Sequence, residues 1–166
     1  MPGAKETPIC TADLVDKHKD RVRSCLLQFH DFGGSKAFFG RIRTIACIED
    51  NALVRSLFSE PGEGCVLVVD GGGSLKSALI GDVLAELGRS SGWAGAVVNG
   101  AVRDIVALGT LSFGVKALGS NPMTSSKTAA GGTDVPVVFG GVLFGPGEWI
   151  YCDPDGVLVS ENSLAL

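Results

Sequence analysis

Apolar positions follow two different rhythms along this chain. From Cys65 to Val98, unbroken apolar runs flank an amphipathic stretch; beyond Asp104, short apolar runs alternate with glycine turns. Cys65-Val66-Leu67-Val68-Val69 predicts a strand buried on both faces, and residues 94–98 predict a second. Residues 82–89 between them predict a helix buried through Val83, Leu84 and Leu87, ended by Ser91-Gly92. Strand, helix, strand favours a parallel pair joined by a right-handed crossover. Upstream, Leu53, Val54, Leu57 and Phe58 form a helical stripe that predicts an amphipathic helix over 49–58. Asp50 or Asn51 stands near its cap, and Pro61-Gly62 stops it.

The flanks are less regular. Residues 1–10 read as a loose lead-in, and Thr11 is placed to N-cap a short helix containing Asp13, Leu14, Val15 and Asp16. Residues 17–21 read as a solvated face. A mixed apolar segment over 26–32 turns at Gly33-Gly34-Ser35 into a strand over 37–46, whose partial alternation predicts a half-exposed edge. Residues 70–74 close the first buried strand, and 75–80 predict a short helical turn. A strand over 114–118 precedes a long polar loop over 121–133, a length often tied to function. Short strands over 135–139, 142–144, 149–152 and 157–159, with glycine turns between them, predict an antiparallel meander. No repeat or linker interrupts the pattern. The expected architecture is α/β: one domain over 1–166, a layered β/β/α sandwich with a mixed sheet.

Composition narrows the function classes. A chain of 166 residues can fill one core, and 45% hydrophobic with 19% charged residues marks an ordered fold. Its 24 glycines are about double the usual share and agree with many tight turns. With 14 basic and 18 acidic residues the net charge is −4, which argues against direct nucleic-acid binding. A mean hydropathy of +0.31 points to apolar surface covered by other subunits. Five scattered cysteines with no Cys-x-x-Cys pair fit reduced, mostly buried thiols. Neither a signal-peptide core nor an apolar run of about 18 residues is present, so no membrane contact and a cytoplasmic location are expected.

Most candidate motifs have plain readings. Gly71-Gly72-Gly73 follows a strand, but Lys76 replaces the third glycine of a dinucleotide fingerprint; a tight turn and an anion site remain equal alternatives. Asp153-x-Asp155-Gly156 lacks the later ligands of a calcium loop and reads as a hairpin turn. His18 and His30 have no partner at ligand spacing. Ser74-x-Lys76 has no support as a nucleophile and base, and Lys76, Lys116 and Lys127 default to surface roles, with Lys116 alone in a desolvating context.

The stretch 81–104 differs because several weak signals coincide. Asp82 opens a helix whose first amides, near Val83 and Leu84, can hold an anion. Arg103 follows an apolar strand and Gly100, and offers a planar fork matched to a carboxylate. Asp104 is a hard oxygen ligand suited to Mg²⁺ or Mn²⁺. An Arg103–Asp82 salt bridge, with Asp104 capping the next helix, is the competing account from the residues alone.

Asp82, twenty intervening residues, then Arg103-Asp104 resembles the signature of class II 4-hydroxy-4-methyl-2-oxoglutarate aldolases, which belong to the RraA family. The likeness extends through Thr11-Ala12-Asp13-Leu14, Phe32-Gly33-Gly34, Glu49-Asp50-Asn51, Val68-Val69-Asp70-Gly71-Gly72-Gly73-Ser74, Gly92-Trp93, Asn99-Gly100-Ala101-Val102 and Asp153-x-Asp155-Gly156. The resemblance implies an RraA-like β/β/α sandwich assembled as a homotrimer with active sites between subunits. It implies that Gly81, Asp82, Val83, Leu84 and Arg103 bind a small 2-oxo acid. Asp104 would ligate a divalent metal, Mg²⁺ foremost and Mn²⁺ next, with Asp82 reaching it through water. The implied reaction is retro-aldol release of pyruvate, with oxaloacetate decarboxylation as a side activity and Arg103 and Asp82 as catalytic groups. The family's other named activity, regulation of ribonuclease E by protein binding, is the alternative. Two departures from the aldolase pattern are visible: Ile105-Val106-Ala107 stands where many members carry an acid, and no C-terminal extension follows. A methyl-donor glycine loop, which a quinone-methyltransferase label would require, is not evident.

Overall fold

The computed structural model describes residues 8–166, so most of the lead-in expected over 1–10 lies outside the described residues. The elements follow in the order α1 (Thr11–His18), β1 (Val22–Ser24), β2 (His30–Asp31), β3 (Phe38–Ala46), α2 (Ala52–Phe58), β4 (Val66–Asp70), β5 (Ala78–Ile80), α3 (Asp82–Ser90), β6 (Gly95–Val102), α4 (Ile105–Leu108), β7 (Gly114–Ser120), β8 (Gly132–Thr133), β9 (Val137–Phe139), β10 (Val142–Phe144), β11 (Trp149–Asp153) and β12 (Gly156–Ser160). A single 3-10 turn, Lys19–Arg21, joins α1 to β1. The sheet runs β1-β12-β11-β3-β4-β6-β7-β2, with β5 added to β6 and β8 to β3. Strands β3, β4, β6 and β7 are parallel, whereas β1, β12, β11 and β3 are antiparallel, which gives the expected mixed α/β architecture.

Alternation along the central strands divides the core into layers. Leu67 and Val69 of β4 and Val98 of β6 face Val54, Phe58, Leu84 and Trp93 on the helical side. Val66, Val68 and Val97 face Phe139, Phe144, Ile150 and Val159 on the other. The predicted burial of β4 and β6 on both faces is therefore observed. The joint between the β layers is β3. Its first half pairs with β11 and its second half with β4.

Several expectations are corrected. The 37–46 strand is central rather than an edge. Its half-exposure is observed, with Arg41 exposed and Arg43 half-buried, but it marks one face and not an edge: Arg41 lies over the Trp149 ring, and Arg43 lies over Trp93 and pairs with Glu60 and Asp134. Residues 78–80 form strand β5, not a helical turn; three residues are too few for either period to register. The amphipathic helix begins at Ala52, because Glu49 adopts a left-handed φ of 53°. The C-terminal strands make two separate hairpins, β9–β10 and β11–β12, in place of one meander. Thr11 does not cap α1 through its own side chain. It is the first helical residue, and Asp153 across the sheet accepts its amide and hydroxyl at 2.7 Å each. The Asp153-x-Asp155-Gly156 turn is a hairpin as expected, with that capping task added.

The thiols match their expected state in part. Cys25, Cys47 and Cys152 are buried, Cys65 is half-buried and Cys10 is exposed. Burial pushes the Cys47 thiol up to about 11, helped by the negative charges of Asp50 and Asp70. Among the described residues no helix is long and apolar enough to cross a membrane.

Candidate functional site

Strand β5 runs parallel to the C-terminal half of β6, with Ala78 opposite Ala101 and Ile80 opposite Val102. Both strands therefore end at the same level and release their next residues side by side. The Arg103 amide still donates to the Ile80 carbonyl at 3.0 Å, and beyond it Gly81-Asp82 and Arg103-Asp104 face each other. This ladder is what joins Asp82 to Arg103 and Asp104, across twenty intervening residues, into one cleft.

Asp104 then turns back. Its backbone takes a left-handed conformation (φ 57°, ψ 41°), which an Asp adopts at a cost of about 1 kcal/mol. The turn directs its carboxylate toward the start of α3, where Oδ2 accepts the Asp82 amide at 3.1 Å and lies 3.6 Å from Arg103 Nε. Asp104 occupies the cap position of α4 without any side-chain capping bond, and among the described residues Arg103 pairs with Asp104 rather than with Asp82. The competing account is thus met only in position: Asp104 stands at the start of α4, with its carbonyl accepting the Leu108 amide, but the Arg103–Asp82 salt bridge is absent. Asp82 folds its Oδ1 onto the Val83 amide at 2.8 Å. The helix start accordingly attracts carboxylates, and the two nearest ones belong to the chain itself. Arg103 is steadied from the loop beyond β7, where its Nη1 donates to the Pro122 carbonyl at 3.4 Å.

Gly81 permits this closeness. A Cβ there would stand 2.6 Å from Asp104 Oδ2. Leu84 is buried beneath the helix start, whereas Val83 is 64% exposed and borders the cleft, so the expected burial of Val83 is corrected. The inward face of α3 is Leu84, Ala85 and Gly88, at helical spacing.

The cleft measures about 180 Å³ and also reaches Asn51, Arg55, Thr124, Ser125 and Lys127. Sequence reasoning passed over these. Asn51 was read only as a helix cap, and Lys127 as surface. Their arrival depends on the 121–133 loop, which is pinned at both edges of the cleft. The Ala78 amide donates to the Met123 carbonyl at 2.8 Å, and Ser125 Oγ to the Ala78 carbonyl at 2.7 Å. Further along, buried Asp50 accepts the Thr128 hydroxyl and amide and the Ala129 amide. These hydrogen bonds, that of the Thr128 hydroxyl foremost, hold the Asp50 carboxyl below its usual range.

Oxygen donors here suit a hard divalent cation. The hydrogen bond and the ion pair at Asp104 both engage Oδ2, which leaves Oδ1 on a side chain 37% exposed. Asp82 is the one other carboxylate lining the cleft, and among the described residues no group of three or more His, Cys, Asp or Glu gathers anywhere. Mg²⁺ tolerates so sparse a set because it retains most of its waters.

Other sequence candidates lie apart. The Gly71 and Gly73 amides bond to the Asn99 carbonyl and the Gly72 amide to Asp70 Oδ1, so this loop is a tight turn with its donors spent. Ser74 Oγ donates to Glu49. Lys116 is 2% exposed and sits 2.9 Å from Asp31, a structural pair at the β2–β7 edge. His18 lies against the Ala165 carbonyl, and His30 belongs to β2.

Comparison with known proteins identifies the fold and the family. A Geobacillus kaustophilus protein named as an S-adenosylmethionine:2-dimethylmenaquinone methyltransferase is 42% identical, with 94% of this chain and 97% of that one covered at a TM-score of 0.93. The RNA-processing inhibitor RraA from Thermus is also 42% identical, covered to 96% on both sides at a TM-score of 0.92. A Streptomyces coelicolor protein described as an unusual member of the RNase ES inhibitor RraA family is 29% identical over 92% of this chain and 80% of that one, at a TM-score of 0.75. The model of the RraA-like family, described as Aldolase/RraA, matches residues 11–159. The chain belongs to the RraA-like, Aldolase/RraA family.

Proposed function

We propose that the protein is a divalent-metal-dependent lyase that releases pyruvate from 4-hydroxy-4-methyl-2-oxoglutarate or a related 4-hydroxy-2-oxo acid, with oxaloacetate decarboxylation as a side activity. The observation that carries this reading is the side-by-side ending of β5 and β6, which gathers a helix N-terminus, a guanidinium and two carboxylates in one small cleft. Its volume of about 180 Å³ lies below the roughly 300–1,000 Å³ of pockets for drug-sized ligands, so it suits a short acid better than a nucleotide-sized methyl donor.

In the bound complex the Gly81 and Leu84 amides, with those of Asp82 and Val83 held by the Asp104 and Asp82 carboxylates, join the Arg103 fork in receiving the substrate carboxylate and its adjacent oxo group. Asp104 would hold the cation directly, and Asp82 would reach it through water. When bound, the cation supplies Lewis-acid withdrawal of charge from the oxo group. As the bond between C3 and C4 breaks, its electron pair moves onto the pyruvyl fragment, and the fixed positive charge of Arg103 stabilises the negative charge that develops there. Asp82 faces the same cleft and can take the proton of the C4 hydroxyl through water as that oxygen becomes a carbonyl, then return it to C3 so that the fragment leaves as pyruvate. Loss of carbon dioxide from oxaloacetate leaves the same pyruvyl charge, so the same groups serve both reactions. The apolar rim formed by exposed Val83, Ile105 and Val106 gives a neighbouring subunit a surface to cover, as a homotrimer with shared sites would.

Pyruvate release from both substrates, measured with and without Mg²⁺, tests the proposal. Arg103→Ala and Asp104→Ala are each expected to lose at least about 100-fold in kcat/KM. Rates unchanged in both variants and in chelator would refute it. The likeness to one protein named as an RNA-processing inhibitor and to one described as a member of an RNase ES inhibitor family favours a second reading, binding and restraint of ribonuclease E. Inhibition of RNA cleavage at stoichiometric protein, retained in Asp104→Ala, would support that reading.

A further inference from the structure

Arg103 is the guanidinium on which the proposed reaction depends, yet the charged groups of the cleft hold it loosely. Its side chain is 42% exposed, and its Nε lies 3.6 Å from Asp104 Oδ2, beyond hydrogen-bond range. The bond that orients the guanidinium comes from outside the cleft lining, where Nη1 donates to the Pro122 carbonyl at 3.4 Å. A carbonyl on an exposed loop steadies nothing unless the loop itself is held. The residue directly before that proline holds it.

Asn121 follows the last residue of β7, and its amide donates to the Val102 carbonyl at 3.0 Å. This bond carries the β6–β7 ladder one step past the Val102–Ser120 pair, to the residue that precedes Arg103. The Asn121 side chain works in two directions. Its Nδ2 donates to the Leu75 carbonyl at 2.8 Å and the Lys76 carbonyl at 3.3 Å, in the segment that leads into β5. Its Oδ1 accepts the Met123 amide at 3.0 Å, and the Met123 carbonyl accepts the Ala78 amide at 2.8 Å. Pro122 is thereby enclosed between two fixed residues, with its own ring limiting φ.

A turn-forming asparagine needs only Oδ1, which closes the loop on the amide two residues on. Here Nδ2 spends its hydrogens on a different segment, so one side chain joins the end of β7 to the approach to β5. Aspartate lacks those hydrogens, and serine lacks the reach.

We infer that Asn121 is the positioning residue of Arg103: it fixes the Pro122 carbonyl, which orients the guanidinium and leaves Nη2, without a partner among the described residues, for the substrate. This rests on the 2-oxo acid reading above. Asn121 does not line the cleft and acts through Arg103 alone. A fork held in place beforehand loses less freedom when it grips an anion, so the tie raises the efficiency of the site without touching the substrate.

Two variants separate the tie from the turn. Asn121→Ala removes both, whereas Asn121→Ser keeps an acceptor for the Met123 amide and cannot reach the Leu75 and Lys76 carbonyls. The first readout needs no substrate: the intact protein is labelled with phenylglyoxal, and modification at Arg103 and Arg55 is followed by peptide mass spectrometry. In both variants Arg103 is expected to react at least about threefold faster than in wild type, while Arg55, which lines the same cleft, keeps its rate. The second readout is a double-mutant cycle on pyruvate release in Mg²⁺. Each Asn121 variant is expected to lose about tenfold in kcat/KM, but less than about twofold where Arg103 is already alanine, since nothing is left to position. Labelling of Arg103 at the wild-type rate in either variant, or faster labelling of Arg103 and Arg55 together, overturns the assignment. So does an Asn121 loss that persists in full beside Arg103→Ala, or no loss at all where wild type releases pyruvate. A wild type that releases no pyruvate, with Arg103 labelling still responsive, overturns the 2-oxo acid reading and leaves the positioning of Arg103 standing.

Discussion

Gly81 decides how closely two chain segments can meet. Its φ of −124° suits any residue, so its glycine character answers to space alone: a β-carbon would collide with Asp104 Oδ2 at 2.6 Å and press on Arg103 Cγ at 3.3 Å. Gly81→Ala should leave the fold intact and push the Asp104 carboxylate off the Asp82 amide. Displacing a site group by about 1 Å can cost about 100-fold, so pyruvate release should fall by that order while the thermal midpoint barely moves. Unchanged activity would show that the carboxylate's seat is immaterial. Arg103 and Asp104 were legible in the sequence because a charged pair just past an apolar strand is a recognisable place for ligand contact. The direction of the Asp104 side chain was not legible. It depends on a left-handed backbone at a non-glycine residue, which no periodic pattern encodes. Val83 was misread for a related reason: an apolar side chain at the rim of a cleft looks like core when only the pattern is available.

Among the elements, β5 carries the most consequence per residue. It is three residues long, yet it sets the level at which α3 begins and hence the register of the whole cleft. Long elements such as β4, β6 and α3 were readable from apolar runs and stripes; β5 was not, because its identity lies in its pairing with β6 and with Met123. The 121–133 loop was legible as functional by its length and polarity, but its anchorage on Asp50 was not. That anchor has a pH signature. Asp50 titrates below its ordinary 3.8 in the folded chain, so its stabilising contribution is complete above that value and is lost as pH falls through the lower folded one. Hydrogen-exchange protection of the Thr128 and Ala129 amides should therefore hold at neutral pH and be lost only as pH falls below the ordinary 3.8, in advance of the α2–α3 core. In Asp50→Asn the protection should already be weakened at neutral pH. A protection profile flat through the acid range would exclude Asp50 as the anchor.

For the whole molecule, the layered α/β architecture was legible because its central strands announce burial on both faces. The antiparallel half was only partly so, since hairpin partners are chosen by β3 and β12 at long range. Val83 and Val106, exposed at 64% and 85%, belong to the apolar rim that the proposed homotrimer would cover. Light scattering should return three times the chain mass of 17.1 kDa, and Val106→Asp should lower it toward one chain; a monomeric wild type would rule out sites shared between subunits. The bond from Thr11 to Asp153 has a different reach, because it joins residues 142 positions apart. At roughly 5–20 residues per second of ribosomal synthesis, α1 waits about 7–28 s for the carboxylate that caps it. Over the same interval the first half of β3 has no β11 to pair with. The nascent chain therefore carries an open strand edge until its last hairpin emerges, and productive folding in the cell should depend on whatever shields that edge in the meantime.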